Sequence, residues 1–359
     1  MPDAPPPQDA PDVPQPQDVP DVIHTLYPDC GPTTKVIPGW CPGYTCTVSC
    51  SCGEDGKLSC PEDCYPSSCP PVWSPTSGTW VAEDSGVPGT LRGICGVKPK
   101  GMIAVGDEGA MTANVGNGWM AFQSTLTTET LIDVWGSSVM DIWAVGSNAT
   151  VLHVAGQKWD AVDLTSTGAS GALRAVHGTG PGDVWIVGDA GLVLHFDGTS
   201  WNTVNAGTSA VLNSVWAAAP NDVWVSGGQG TLIHWDGKTW GSVTPGLPAV
   251  DDTIEAVWGL GPKDVWIVGK KGLLRHWDGK TWTSFEPPVP NAWLLRVWGA
   301  TTNDLWATGH DGVLLHWDGV EWLHVPIGEV APLRGIWGSS TTDIRVLGAD
   351  KRIWQYVAN

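Results

Sequence analysis

Histidine and aspartate recur along this chain at regular spacing and are the first candidates for catalysis or metal binding. Successive members of each set lie about forty residues apart, which gives one of each to every unit of a repeat. Zinc needs several ligands converging at about 2 Å, and catalysis does not need six copies of one group. We therefore interpret both sets as structural, with the aspartates accepting backbone N–H bonds in the turns before their strands. The sets are His153, His195, His234, His276 and His316, and Asp141, Asp183, Asp222, Asp264, Asp304 and Asp343.

Other catalytic patterns are weaker. A sialidase-like mechanism needs a Tyr nucleophile beside several Arg, whereas the repeats contain one tyrosine, Tyr356. No His-Glu-x-x-His, Gly-x-Ser-x-Gly or phosphate-binding glycine motif occurs. We predict no catalytic residue, although paired carboxylates for glycoside chemistry stay open. Four arginines that share or adjoin one column are expected to pair with the acidic surface, or alternatively to ring one end of a central channel: Arg92, Arg174, Arg334 and Arg296.

All these residues belong to a repeat of about forty residues. A typical unit is 257–285, with four short runs of Val, Ile, Leu and Trp separated by Gly, Asp and Asn turns. This pattern predicts four strands in each unit. Four-stranded units at this period predict an all-β, seven-bladed β-propeller over residues 73–359. The units begin at Leu91, Leu131, Leu173, Leu212, Ile254, Leu294 and Leu333.

The propeller is predicted to be closed by an N-terminal strand. The seventh unit ends after its third strand, and the missing fourth run occurs before the first unit, with Trp80 in the register of Trp282 and Trp322. Closure in this way removes two free sheet edges. Cys95 stands in a column held mostly by Trp and is predicted to be a buried free thiol. The fourth-strand tryptophans recur in every blade and are interpreted as packing between blades: Trp80, Trp119, Trp159, Trp201, Trp240, Trp282 and Trp322.

Positions at which the units differ are the best candidates for ligand binding. In a propeller, the loops from second to third strands and the connections between blades share one face. The sequence varies on that face, whereas the opposite face repeats Gly, Ser and Asp. We predict the variable face to be the binding site, with no cofactor and no metal. The candidate residues are Asp107, Glu108, Asp189, Gln229, Lys270, Lys271, Trp293, His310 and Asp311.

A cysteine-rich module is predicted at residues 30–72. An even number of cysteines in a short segment with few large apolar residues predicts four disulfides in place of a core, with their pairing left open. Zinc is disfavoured because no Cys-x-x-Cys pair occurs and no His lies within the cluster. The stretch 46–64 resembles von Willebrand factor type C and pacifastin-like modules. The cysteines are Cys30, Cys41, Cys46, Cys50, Cys52, Cys60, Cys64 and Cys69.

The amino-acid composition limits which cellular compartment and which classes of partner are expected. Residues 1–29 are mainly Pro, Asp and Gln, which predicts a disordered linker or a spacer. A net charge of -19 argues against nucleic acid or an anionic membrane surface as partner. No apolar run approaches the roughly 20 residues that span a bilayer, and the opening residues do not form a signal peptide. Disulfides indicate an oxidising compartment, so we expect a monomeric secreted, cell-surface or periplasmic protein of a bacterium, with lipid anchoring left open.

The repeat motif, Asp-Val-Trp-x-Val-Gly followed by His-Trp-Asp-Gly-x-x-Trp, resembles propeller repeats of secreted proteins and lipoproteins of myxobacteria. It is more distantly similar to kelch and Asp-box (sialidase-like) propellers, although the Ser that opens the Asp-box is absent. The resemblance covers residues 80–359 and implies the fold. We expect a non-catalytic module that presents the variable face to a protein or glycan at the cell surface. The alternatives are a polysaccharide-acting hydrolase or lyase using carboxylates on that face, and a periplasmic assembly factor resembling the photosystem assembly propellers.

Overall fold

The computed structural model describes residues 78–358, except 98–100, 124, 157 and 247–251, together with four short strands nearer the N-terminus. The chain divides into two units, residues 1–68 and 69–359. In the first unit, β1 (Lys35–Pro38) pairs with β2 (Thr45–Val48), and β3 (Ser51–Cys52) pairs with β4 (Leu58–Ser59). The predicted linker, 1–29, and the side chains of the eight predicted disulfide cysteines lie outside what is described.

The second unit is an all-β propeller of seven four-stranded antiparallel sheets. It begins with β5 (Gly78–Asp84), followed by blade 1 with β6 (Leu91–Gly96), β7 (Met102–Gly106), β8 (Ala110–Asn114) and β9 (Trp119–Gln123). Blade 2 has β10 (Leu131–Ser138), β11 (Asp141–Gly146), β12 (Val151–Ala155) and β13 (Trp159–Ala161). Blade 3 has β14 (Leu173–Gly180), β15 (Asp183–Gly188), β16 (Val193–Phe196) and β17 (Trp201–Val204).

The later blades repeat this order. Blade 4 has β18 (Leu212–Ala219), β19 (Asp222–Gly227), β20 (Leu232–Trp235) and β21 (Trp240–Ser242). Blade 5 has β22 (Ile254–Gly261), β23 (Asp264–Gly269), β24 (Leu274–Trp277) and β25 (Trp282–Ser284). Blade 6 has β26 (Leu294–Thr301), β27 (Asp304–Gly309), β28 (Leu314–Trp317) and β29 (Trp322–His324). Blade 7 has β30 (Gly335–Ser340), β31 (Asp343–Leu347) and β32 (Arg352–Ala358), completed by β5.

The second strands are apolar on both faces because each blade lies between two others. In β15 and β23 every residue after the opening Asp is buried. No helix long and apolar enough to cross a membrane occurs among the described residues. What helix these residues contain is short 3-10 turns, in keeping with an all-β fold.

Tryptophans pack successive blades together, as predicted. The fourth-strand Trp201 meets Trp143 of the preceding blade edge-on, with ring centroids 5.3 Å apart, and Trp322 meets Trp266 in the same way at 5.6 Å. A second column acts nearer the axis, where Trp337 of β30 lies over Gly96 of blade 1. A Cβ on Gly96 would lie 1.9 Å from the indole, so this position requires glycine.

The recurring Asp and His residues form a side-chain network inside each of blades 2 to 6. In blade 3, Oδ1 of Asp183 accepts from the indole of Trp185 at 3.1 Å and contacts Nε2 of His195 at 2.7 Å. The hydroxyl of Thr179 donates to Oδ2. The prediction of structural residues is confirmed, but the predicted backbone N–H donors are wrong: three strands, β14, β15 and β16, are tied through side chains. Burial opposes ionisation of Asp183, yet its hydrogen bonds to His195 and Thr179 lower its pKa.

Blade 7 closes as predicted, with a different polar network. β5 pairs with β32 over seven residues, and Trp80 lies opposite Tyr356. Arg345 replaces the second-strand Trp and pairs with Asp343 at 2.7 Å and with Glu83 of β5 at 3.3 Å. Glu83 also accepts the indole N–H of Trp119 in blade 1, at 3.0 Å. The carboxylate of Glu83 on the closing strand therefore links blade 7 to blade 1.

Replacing Glu83 with Ala is expected to destabilise the propeller by about 2–4 kcal/mol, because it leaves the buried Arg345 guanidinium and the Trp119 N–H short of an acceptor. Urea unfolding followed by Trp fluorescence measures the change. Glu286→Ala, which removes an exposed carboxylate from a blade connection, is the matched control. Equal stability of the two variants would show that β5 is held by its backbone pairing alone.

Candidate functional site

The predicted variable face is built from two kinds of loop that are hydrogen-bonded to each other. Each turn between second and third strands donates to the connection that enters its own blade, as from Asp189 N to Ala172 O at 3.0 Å. The glycine of the turn donates to the connection that enters the next blade, as from Gly272 N to Ala292 O at 2.8 Å. In the described loops these bonds tie each turn to its neighbouring connections, and the side chains differ from blade to blade.

Four of the predicted site residues share one position of this turn and are not brought together. Each is exposed, has a left-handed backbone with φ between 55° and 57°, and belongs to a different blade. Their variation reflects an exposed turn position, although Lys271 also donates to the buried Asp252 at 3.0 Å. These residues are Glu108, Gln229, Lys271 and Asp311.

The carboxylates of Asp107 and Asp189 form ion pairs with arginines of the innermost strands. Nε of Arg92 lies 2.5 Å from Asp107 Oδ1, and Nε of Arg174 lies 2.7 Å from Asp189 Oδ1. Asp189 also accepts from the backbone of Ala172, and these bonds lower its pKa although burial acts against them. The expected pairing of arginines with acids is confirmed for these two.

The remaining three predicted residues form one cluster between blades 5 and 6. His310 stacks on Trp293 with ring centroids 4.1 Å apart, and Nζ of Lys270 lies 4.3 Å from the centroid of the same indole. The indole N–H donates to Glu255 of β22 at 2.9 Å. Trp293 is 38% exposed, so this aromatic-cationic cluster is accessible from the loop face.

The innermost strands enclose a central cavity of about 170 Å³. The third residue of each repeat unit faces this part of the ring, and five blades carry a small residue there. Asp133 of blade 2 and Arg296 of blade 6 are the two charged residues at this level. Burial raises the pKa of Asp133 to about 6, against the opposing field of Arg296 and a hydrogen bond from the Val176 N–H. The small residues are Gly93, Ala175, Ser214, Ala256 and Gly335.

Farther from the loop face, the fifth residues of the inner strands are mostly Trp. His177 takes this place in blade 3, where its Nδ1 accepts the backbone N–H of Ala217 at 3.2 Å, so neutral His177 carries its proton on Nε2. Burial lowers its pKa to about 4, with a small opposing contribution from Asp183. In blade 1 the same place is held by Cys95, a buried free thiol as predicted, whose pKa is raised by burial and by Asp133.

Three arginines from adjacent blades lie near the loop-face end of the cavity, since Arg296 lines it and Arg92 and Arg334 directly precede the lining residues Gly93 and Gly335. Burial lowers the pKa of Arg334 in blade 7; Arg92 of blade 1 and Arg296 of blade 6 lower it further, while Asp107 opposes them. Nε of Arg334 is buried without a hydrogen-bond partner in the described part of the chain. The alternative expectation of arginines at one end of the channel therefore holds for these three, which we call the arginine cluster.

Asp133, His177 and Glu255 were missed from the sequence. The first two interrupt otherwise small or Trp-rich columns, a signal available in the alignment of repeats. Glu255 occupies a variable column and gave no such signal; only the fold brings it under Trp293.

No protein-family model matches the chain, and no curated protein sequence matches it. Solved structures show the fold. YCF48 bound to a D1 peptide is 17% identical with a TM-score of 0.68, covering 82% of this chain and 99% of that one. YCF48 from Cyanidioschyzon merolae is 18% identical with a TM-score of 0.64, covering 78% and 99%. Virginiamycin B lyase from Staphylococcus aureus is 12% identical with a TM-score of 0.69, covering 78% and 99%.

Asp133 and His177 make opposite contributions to stability in acid. Folding raises the pKa of Asp133, so this residue stabilises the fold below its unfolded pKa and loses that contribution as pH rises to about 6. Folding lowers the pKa of His177, so its contribution is lost as pH falls from about 6.5 towards 4.

Asp133→Asn removes one of these opposing contributions. The free energy of unfolding of this variant is expected to rise more steeply with pH between 4 and 6 than that of the parent, and to exceed it at pH 7 by about 1–2 kcal/mol. Urea unfolding at several pH values measures both. Asp311→Asn, which removes an exposed carboxylate, is the control. If the free energy of unfolding of the two variants depended on pH in the same way, the pKa of Asp133 would not be raised by folding.

Proposed function

We propose that this propeller is a non-catalytic binding protein, which takes an acidic peptide segment of a partner protein on its loop face. The observation that carries this proposal is the arginine cluster. At the cavity mouth, burial and the fields of Arg92 and Arg296 oppose the charge of Arg334, against the field of Asp107, and the Nε–H of Arg334 is buried without a partner among the described residues. A carboxylate that reached this mouth would relieve the repulsion and supply charge-assisted hydrogen bonds.

The aromatic-cationic cluster supports a peptide as ligand more than a glycan. The ring of Trp293 is already contacted by His310 and Lys270, and its N–H is used by Glu255. A sugar ring stacking on this indole has to compete with those neighbours. A peptide needs only the exposed edge of the indole and the ammonium beside it, together with carboxylates that reach the arginines.

The structural comparisons are consistent with ligand binding on such a fold. One similar structure was solved with a D1 peptide, and another is a catalytically inactive virginiamycin B lyase with Quinupristin. At 13–17% identity these likenesses show the fold alone, and fold does not imply function. We further propose that the protein acts outside the cytoplasm, secreted or tethered to the cell surface or within the periplasm, because of the predicted disulfide module.

A labelled peptide of alternating Glu, Ala, Asp and Leu tests the binding proposal. Fluorescence polarisation should show saturable binding that weakens as salt rises, and a peptide with Lys in place of the acids should not bind. Arg334→Gln is expected to weaken binding by about five- to twentyfold, because one charge-assisted contact at a partly buried site is lost.

Lys238→Gln is the matched control for this measurement, since it also removes one cation but from the opposite face, in a turn between third and fourth strands. If both variants bound the peptide equally weakly, the effect would come from the loss of one positive charge anywhere on the protein. That result would overturn the proposal that the peptide binds on the loop face. Trp293→Ala is expected to weaken binding as well, by severalfold, because Lys270 and His310 lose the ring that positions them.

A further inference from the structure

The central cavity contains two opposite charges that do not neutralise each other directly. Asp133 and Arg296 lie at one level of the channel, in blades 2 and 6, and the field of Arg296 acts on Asp133. Arg296 uses Nη1 on the carbonyl of its neighbour Leu295, at 2.9 Å, and makes no ion pair among the described residues. Asp133 accepts the Val176 N–H at 3.0 Å and also the Val134 N–H, and a carboxylate has further lone pairs with which to bind a group in the cavity.

Uncharged donors lie farther from the loop face. The Nε2–H of neutral His177 is not used by the bond that fixes Nδ1. Trp258, which also lines the cavity, has a buried indole N–H without a hydrogen-bond partner within the described residues. A buried donor left in this way costs free energy unless water or a ligand accepts from it.

Much of the remaining lining is apolar, the Ser214 hydroxyl is bonded to the backbone of Val257, and the cavity is small. Its volume of about 170 Å³ corresponds to about six waters at roughly 30 Å³ each. Valines and isoleucines of the inner strands supply apolar contacts, among them Ile94, Val134 and Ile336. This combination suits a small molecule with one cationic end, one anionic end and an apolar body.

We propose that the cavity binds a free α-amino acid with an apolar side chain of about the size of Val or Leu. Its ammonium group donates to Asp133, its carboxylate accepts from Arg296, and its side chain packs against the apolar lining. The site is separate from the peptide surface: Asp133 belongs only to the cavity and Arg334 only to the arginine cluster, whereas Arg296 contributes to both.

Isothermal titration calorimetry of the full chain with L-valine and L-leucine tests this proposal. Saturable binding is expected, with dissociation constants of about 1 mM or below. N-acetyl-leucine lacks the ammonium and leucine methyl ester lacks the carboxylate, so each should bind at least tenfold more weakly. These analogue comparisons use the unaltered protein and do not depend on whether a variant folds.

The variants then assign the two ends of the ligand. Asp133→Asn and Arg296→Gln should each weaken amino-acid binding at least tenfold, whereas Arg334→Gln should leave it unchanged while still weakening the acidic peptide. Absence of binding at about 10 mM amino acid, or equal binding of the acetylated and esterified analogues, would overturn the proposal and indicate a channel that holds only water. Neither of these results would affect the separate test of peptide binding on the loop face.

Discussion

The whole ring depends on each blade burying its faces against its neighbours. The contacts that do this are tryptophan side chains that pack against an adjacent blade. A substitution at one of these Trp positions therefore requires a compensating residue in the adjacent blade. Where His177 replaces Trp in β14, the facing residue is Ala217, and its N–H donates to the imidazole. Where Cys95 replaces Trp in β6, Val97 fills the space over Gly136 instead. The polar and small substitutions along the channel are consequently built into the packing and are not gaps in it.

This constraint separates structural polar groups from candidate functional ones. The carboxylates of Asp141 and Asp183 accept hydrogen bonds at both oxygens within their own blades, which lowers their pKa and ties strands together. An unpartnered buried atom alone does not mark a site, because Trp80 and Trp240 have such indole nitrogens within the packed blades. Arg334 and Trp258 differ from them in position, since the first lies at the mouth of a cavity and the second lines it.

The fold followed from the sequence because its determinants are periodic: apolar runs, turn residues and Trp columns recur seven times, and the displaced Trp80 indicated the closing strand. Site residues were harder to predict because they depend on which blades meet. Lys270, Trp293 and His310 come from three different loops and were predicted only as members of a variable face. Glu108 and Gln229 vary for a local reason, a solvent-directed turn position, that resembles functional variation in a sequence. Asp133 stands out in the alignment of repeats as a break in a column of mostly small residues, but the meaning of that break depends on the column facing a cavity.

Charge distribution also limits which ligands the loop face can take. The chain carries a net charge of -19, so a long polyanion approaching from beyond a Debye length of about 8–10 Å is repelled. At contact, the field is set by the nearest groups, and at the cavity mouth these include the three arginines. Long-range repulsion combined with short-range attraction discriminates against ligands with extended negative charge and admits those with a few local carboxylates. An acidic peptide segment with neutral flanks satisfies both requirements, and so does a single zwitterion, which has no net charge and whose two ends can meet Asp133 and Arg296.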